Sequence, residues 1–268
     1  MTRLSTNKNI VVSGCSFTRW GGYNWPDALN KYNTSLYNVG HKGNCNENII
    51  KKAINQVKSL SKISSDQPIV LIVQLTGLER FMLNGKISPT IRNIYEADNK
   101  FKFNWFGMKN KTTNNDFKDY VENVYTPELH LNNLFKEIIL LDKTVEELKN
   151  VDYRIFCGWD IFCNEKNNMW AENVKYINKN AKLLIDEYPK CKDLWDKINF
   201  KKFWFFENNF VYYGGISQWI QYNLESKDWY RNFKDNDFHP SEIGHKKFGE
   251  VVIQPLVDKM FQKLEKLI

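Results

Sequence analysis

Residues 9–18 read NIVVSGCSFT, an apolar and β-branched run that ends in a glycine followed by small polar side chains. Such a run predicts a strand buried on both faces, and the glycine predicts a turn after it. Cys15, Ser16 and Thr18 would then lie at the carboxyl edge of that strand. Because ligands bind at this edge in open α/β sheets, the stretch indicates both a fold class and the place of a functional site.

Further apolar runs recur along the chain, with helical stretches between them. The stretch at 47–60, ENIIKKAINQVKSL, places its isoleucine, valine and leucine residues on one face, as an amphipathic crossover helix does. The alternation of apolar runs and helices predicts an α/β protein with a parallel sheet covered by helices on both faces. The further apolar runs are 35–40, 68–77, 152–159 and 201–206.

The chain contains no linker rich in proline, glycine or serine, so we expect one domain over residues 1–268. Two regions without a clear period read as insertions, at about 79–114 and about 186–236. The first is rich in asparagine, lysine and aromatic residues and is expected near the sheet edge, over the site. Near the carboxyl end, Ser241 is the predicted N-cap of a helix that breaks or kinks near Pro255.

The composition narrows the function classes. The 268 residues are 42% hydrophobic, which is ample for a packed core, and no apolar stretch is long enough to cross a bilayer. The five cysteines include no CxxC pair, so neither a disulfide framework nor a zinc site is indicated, and no metal or cofactor is expected. The net charge of +7 is scattered along the chain, which favours a solvated basic surface over a nucleic-acid site.

The amino-terminal residues lack the apolar core and the cleavage site of a signal peptide. We therefore expect a cytoplasmic or virion-associated protein. The frequent use of lysine, asparagine and isoleucine fits an AT-rich genome, such as that of a bacterium or its phage.

One of the four histidines stands in a setting suited to catalysis. His239 belongs to the segment DNDFHPSEIGH at 235–245, with acidic residues before it and a helix start after it. A histidine held by a carboxylate can take the proton of a serine hydroxyl, which needs a base at neutral pH. His245, one helical turn further, is interpreted as a surface or packing residue.

Three segments in this order, Gly14-Cys15-Ser16, GNCN at 43–46 and DFHPSEIGH, resemble the motifs of the SGNH hydrolase superfamily, also called the GDSL family. Its members are esterases and acyl-transfer enzymes. The resemblance implies a three-layer α/β/α sandwich with a flavodoxin-like parallel sheet, and a serine mechanism that uses no cofactor.

The resemblance also implies residue roles. Ser16 would be the nucleophile, and its backbone N–H would be the first donor of an oxyanion hole. Gly43, in the loop after the second strand, would supply a second backbone donor. Asn46 would lie beside the site, and His239 would be the base.

The sequence departs from the family pattern at the acid. The commonest spacing puts an aspartate three residues before the histidine, where this chain has Asn236. Asp237 lies two residues before His239 and Asp235 lies four before it. We predict Asp237 as the orienting acid, with Asp235 as the alternative.

A second departure concerns the oxyanion hole. Where the family has Gly-x-Asn-Asp after a strand, this chain has Gln-Leu-Thr-Gly at 74–77. A side-chain donor would therefore be the hydroxyl of Thr76, or there would be none. Asn46 and Arg80 are the nearest candidates to substitute for it.

These observations predict a serine esterase that hydrolyses or transfers an acyl ester of a small molecule or a glycan. O-acetyl groups on a carbohydrate are the first candidates. The missing motif residues support a different class as the alternative, namely an inactive protein of the same fold. Such a protein would bind a glycan or form part of a phage virion.

Overall fold

The computed structural model describes residues 8–32, 34–78, 80–88, 90–92, 104–106, 115–164, 182–207, 212–232 and 237–267. Within these ranges the strands are β1 (Lys8–Ser13), β2 (Thr34–Asn38), β3 (Ile69–Leu75), β4 (Met82–Leu83), β5 (Lys86–Ile87), β6 (Thr90–Arg92), β7 (Asn104–Phe106), β8 (Val151–Cys157), β9 (Cys163–Asn164), β10 (Lys182–Leu183), β11 (Phe203–Trp204), β12 (Tyr230–Asn232) and β13 (Asp237–Pro240). The helices are α1 (Asn46–Ile63), α2 (Asn115–Asn123), α3 (Pro127–Glu146), α4 (Leu184–Glu187), α5 (Lys192–Trp195), α6 (Ile216–Asn223), α7 (Glu242–Phe248) and α8 (Gln254–Leu264).

Five strands form the central sheet, in the spatial order β11-β8-β3-β1-β2, and all four pairings are parallel. Counted along the chain, the order of these strands is 2-1-3-4-5, which is the flavodoxin-like arrangement. The expected parallel α/β sheet is thereby confirmed. Ser13 pairs with Val73 and Leu75 with Cys157, so the carboxyl ends of β1, β3 and β8 share one edge.

Helices cover both faces of this sheet. Helices α1 and α3 pack on each other and on one face, whereas α8 contacts β3 and β8. A 3₁₀ helix at Trp25–Lys31 packs against α7 and the turn that follows it. All seven residues of β3 are buried, which a strand covered on both faces requires. The three layers agree with the predicted α/β/α sandwich.

The carboxyl-terminal helix is interrupted near Pro255, where the sequence predicted a break. The Ser241 hydroxyl caps α7 by accepting from the N–H of Gly244 at 2.9 Å. One turn of π-helix, Gly249–Ile253, separates α7 from α8, and Pro255 is the second residue of α8. Proline lacks an N–H and its ring crowds the carbonyl four residues earlier, which disfavours a continuous α-helix there.

The structure describes the two regions predicted as insertions to different extents. Within 79–114 it describes two short antiparallel strand pairs, β4–β5 and β6–β7, and most of the remainder lies outside the described residues. The region 186–236 contains the edge strand β11 of the central sheet, within the predicted apolar run 201–206, and the helix α6. Trp195, Trp219 and Trp229 of this region are buried and belong to the hydrophobic core. In the described ranges, the helices are too short or too polar to cross a bilayer.

Candidate active site

Ser16 lies on a tight turn at the carboxyl edge of β1. The N–H groups of Thr18 and Arg19 both donate to the carbonyl of Cys15, at 3.0 and 3.2 Å, so the chain turns sharply after the strand. Ser16 itself is 4% exposed. The turn thus presents a nearly buried hydroxyl at the sheet edge that the sequence indicated.

A buried glutamine on the neighbouring strand holds this turn. The Oε1 atom of Gln74 accepts from the N–H of Cys15 at 3.2 Å, from the Cys15 thiol at 3.3 Å and from the Thr18 hydroxyl at 3.1 Å. Its amide nitrogen donates to the carbonyl of Leu75. Gln74 is fully buried. Sequence reasoning did not assign it a role, although one polar residue within the apolar strand IVLIVQL was a signal for it.

Gly14 is required by the closeness of this packing. A Cβ atom on Gly14 would lie 2.1 Å from the Thr18 hydroxyl oxygen and 2.8 Å from Oε1 of Gln74. Any side chain there would push apart the groups that define the turn. The glycine before Cys15 and Ser16 is therefore required by the close packing of the Cys15–Thr18 turn.

His239 reaches this turn from the far end of the chain. It lies in β13, which pairs antiparallel with β12, and its Nε2 atom is 2.8 Å from Oγ of Ser16. The two residues are 223 positions apart in sequence. When the proton of the imidazole is on Nδ1, the hydroxyl of Ser16 donates to Nε2, which is the arrangement of a nucleophile and its base.

An indole ring lies against the imidazole. The rings of Trp20 and His239 are stacked, with centroids 4.5 Å apart and an interplanar angle of 27°. Phe17 meets the same imidazole edge-on, at 5.5 Å. Lys42 places its ammonium 3.6 Å from the centroid of the Trp20 ring. The imidazole is therefore confined by aromatic contacts, and an aromatic face stabilises a cation more than a neutral ring.

The loop after Ser16 is fastened to the segment that carries His239. The guanidinium of Arg231, in β12, donates to the carbonyl of Gly21, to the carbonyl of Tyr23 at 3.2 Å and to Oδ1 of Asn24 at 3.2 Å. Its Nε–H donates to the carbonyl of Pro240 at 3.3 Å.

A second contact joins the same two segments. Glu242, at the start of α7, accepts from the N–H of Tyr23 at 3.2 Å. One arginine and one glutamate thus connect the loop after Ser16 to the residues that follow His239.

The loop that contains Gly43 is fixed to Gly14, the residue that follows β1. The backbone N–H of His41 donates to the carbonyl of Gly14 at 3.1 Å, and the side chain of Asn44 donates to the same carbonyl at 3.3 Å. Gly43 has φ +74°, a conformation that favours glycine. Within the described part of the chain, the N–H groups of Ser16 and Gly43 have no hydrogen-bond partner.

Asn46 and Thr76 lie at the same edge, but their side chains are engaged or enclosed. The amide of Asn46 accepts from the N–H of Thr76 at 2.8 Å and donates to the carbonyls of Thr76 at 2.8 Å and Gly77 at 3.3 Å. It therefore joins the start of α1 to the loop after β3. The hydroxyl of Thr76 is buried and, among the described residues, has no hydrogen-bond partner.

Arg80 lies apart from this geometry, and the side chains of the two candidate acids are outside the described residues. Arg80 lines a cavity of about 290 Å³ beside α3, together with Asn46, and neither Ser16 nor His239 lines that cavity. The backbone of Asp237 belongs to β13, but its side chain is outside the described residues, as is the whole of Asp235. The choice of the orienting acid stays a prediction.

His245 is a packing residue and does not lie on the surface. It is 1% exposed, and its ring meets Phe17 edge-on at 6.3 Å. Burial, with smaller contributions from the positive charges of Arg231 and His239, lowers the pKa of His245 to about 3. His245 is therefore neutral near pH 7, and it is His239 that contacts the serine.

The described residues include no group of three or more histidine, cysteine, aspartate or glutamate side chains arranged to hold a metal ion. Comparison with known protein families gives no matching family, and no curated protein is similar in sequence.

Solved structures similar to this chain include the following two. One is a protein named as a lipolytic member of the G-D-S-L family from Desulfitobacterium hafniense DCB-2, with 15% identity, a TM-score of 0.38, and coverage of 91% of this chain and 97% of that one. The other is named as a GDSL-like lipase from Parabacteroides merdae ATCC 43184, with 14% identity, a TM-score of 0.36, and coverage of 98% and 97%. At these identities and TM-scores neither protein's activity is transferred to this chain.

Replacing Gln74 by leucine should destabilise the turn formed by Cys15 to Thr18. The change leaves the N–H of Cys15 and the hydroxyl of Thr18 without their buried acceptor, which costs about 1–3 kcal/mol for each group. Urea unfolding should show a loss of about 2–4 kcal/mol in the free energy of unfolding, within that range for two groups. Unchanged stability would mean that the turn does not depend on this side chain.

Replacing Arg231 by methionine should separate the serine from its base while the core stays folded. Methionine keeps the apolar stem and removes every contact to the loop and to Pro240. We expect the reactivity of Ser16 toward a fluorophosphonate to fall by about 10²-fold, the order expected for a misplacement of about 1 Å. Arg154→Met is the control, because its guanidinium contacts Asp152 near the opposite sheet edge. An equal loss in both variants would contradict the assigned role.

Replacing Thr76 by valine should stabilise the protein. The hydroxyl is buried without a partner in the described residues, and a methyl group of the same shape removes that cost, worth about 1 kcal/mol in thermal or urea unfolding. If the hydroxyl instead serves as an oxyanion donor, the variant would lose about 10²-fold or more in rate. We expect the reactivity of Ser16 to stay within about twofold of the unmodified protein, far from that loss.

Proposed function

We propose that this protein is a serine hydrolase that cleaves a carboxylic ester, with Ser16 as the nucleophile and His239 as the base. The observation that supports this proposal best is the 2.8 Å contact between Oγ of Ser16 and Nε2 of His239. A serine and a histidine so far apart in sequence come into this geometry only through the fold. The contact lies at the carboxyl edge of a parallel sheet, where ligands of such folds bind.

In the first half of the reaction the imidazole accepts the proton of the Ser16 hydroxyl. The oxygen forms a bond to the ester carbonyl carbon, and the carbonyl π electrons move to its oxygen. The resulting oxyanion accepts hydrogen bonds from the backbone N–H groups of Ser16 and Gly43. The intermediate then expels the alcohol, which takes the proton from His239, and an acyl-enzyme remains.

In the second half a water molecule replaces the alcohol. His239 accepts a proton from the water, whose oxygen attacks the acyl carbon, and the oxyanion forms again in the same place. Collapse releases the carboxylic acid and returns the proton to Ser16. In this proposal Asp237 holds the imidazole in the required tautomer and stabilises the imidazolium.

The oxyanion hole of this proposal consists of backbone donors. Asn46 uses its amide to join α1 to the loop after β3, and the Thr76 hydroxyl is enclosed. Loss of one side-chain donor costs about 10²–10³ in rate in a protease of known mechanism. We therefore expect slow turnover on simple activated esters.

For the substrate, we propose an acyl ester on a carbohydrate, with O-acetyl groups as the first to be screened. The proposal for a sugar acceptor is supported by the aromatic residues at the site, Phe17 and the partly exposed Trp20. Aromatic side chains and a few polar groups commonly line small-ligand sites.

The experiment is fluorophosphonate labelling of the purified protein, with the modified residue mapped by mass spectrometry. We expect an adduct on Ser16 in the unmodified protein. Ser16→Ala should carry none, and His239→Ala should be labelled at least about 10²-fold more slowly, because general base catalysis supplies about 10²–10⁴.

Two variants control for nonspecific effects. Ser59→Ala removes an exposed serine of α1, and Cys15→Ala removes the thiol beside the nucleophile; both should keep the adduct on Ser16. A folded protein without an adduct on Ser16 would contradict the proposed function. That result would favour the alternative of a binding or structural protein with this fold.

A further inference from the structure

A polar groove lies beside the candidate site, next to the outermost strand β2 of the central sheet. It has a volume of about 440 Å³ and runs between the carboxyl end of β2 and helix α1. This volume falls within the range of small-ligand pockets. Neither Ser16 nor His239 lines it, so it is a separate feature from the reacting pair.

Both loops of the candidate site contribute to the groove. Arg19, three residues after Ser16, lines one part, and His41, two residues before Gly43, lines another. A group bound in the groove would therefore contact the same two loops that carry the nucleophile and the proposed oxyanion donor.

Asn38 holds these two loops in place. Its side-chain nitrogen donates to the carbonyl of Thr18 at 3.1 Å, and its side-chain oxygen accepts from the N–H of Gly40 at 3.0 Å. Its own carbonyl accepts from the guanidinium of Arg19 at 3.3 Å. The groove is thus formed by hydrogen bonds within the protein, which limits the ordering cost of binding.

The charge of the groove has one sign. Arg19 and Lys52 are its permanently charged lining residues, and Asn55 and Gln56 of α1 add amide groups. No lining residue in the described part of the chain is an aspartate or a glutamate. A concave surface with charges of one sign concentrates ligands of the opposite charge.

We propose that this groove binds an anionic oxygen substituent of the ester substrate, a carboxylate or a phosphate, while the acyl group lies at Ser16. This inference rests on the proposed function and narrows its substrate to acidic molecules large enough to reach both places. Arg19 supplies donors in a planar fork that suits either anion, and Lys52 supplies a point charge.

The test compares two forms of one substrate. O-acetylated oligogalacturonide carries carboxylates, and the same oligomer with its carboxylates methylated is neutral; acetate release is measured for both. We expect a KM about tenfold lower for the acidic form at low salt, a difference that shrinks at high salt. Equal KM values for both forms in the unmodified protein would overturn the proposal.

Matched variants locate the effect. Lys52→Glu should raise the KM for the acidic oligomer by about tenfold, while the neutral oligomer and the labelling of Ser16 stay within about twofold of the unmodified protein. Lys58→Glu makes the same charge change at an exposed position of the same helix outside the groove, and it should leave both KM values unchanged. Equal effects of the two variants would overturn the proposal.

Competition separates the two anions. Inorganic phosphate inhibiting more strongly than free galacturonate assigns the groove to phosphate, and the reverse assigns it to carboxylate. No competition by either would overturn the inference.

If neither oligomer is cleaved and Ser16 is not labelled, the proposed function fails by itself. Calorimetry with the two oligomers then tests the groove, with preference for the acidic form and its loss in Lys52→Glu as the supporting result.

Discussion

The geometry of the site depends on the hydrogen bonds that the carboxamide of Gln74 accepts. The carboxamide projects from the central strand β3 and gives the neighbouring turn of Cys15 to Thr18 its buried acceptor. A buried polar group without a partner is costly, so the turn and the glutamine stabilise one another. The parallel pairing of β1 with β3 sets the distance between them. The position of Ser16 is therefore determined by the sheet.

A second constraint joins the ends of the chain. The strand β13 and the helix α7 bring His239 to the sheet edge, and Arg231 and Glu242 hold the loop after Ser16 against them. Under the proposed function the 2.8 Å contact between Ser16 and His239 needs such support, because rates fall steeply when reacting groups are misplaced. Trp20 adds an aromatic wall to the imidazole. Ser16 and His239 are thus held in place by one set of contacts between the two segments.

The site departs from the sequence prediction mainly in its side-chain donors. Asn46 and Arg80 were candidates to replace a missing oxyanion donor. Asn46 instead makes three contacts to the loop after β3, and Arg80 lines a different cavity. Nearness in sequence to a motif does not determine the direction of a side chain. In the proposed mechanism the backbone N–H groups of Ser16 and Gly43 hold the oxyanion.

The sequence by itself determined the class of the fold, the five strands of the sheet, the helix α1 and the break near Pro255, because hydrophobic period and backbone restriction are local properties. It also indicated Ser16 and His239 as candidate site residues. Only the tertiary structure decided that they meet, that Gln74 and Arg231 hold them, and that His245 is buried. Those facts depend on contacts between segments up to 223 residues apart, which form only when the layers pack.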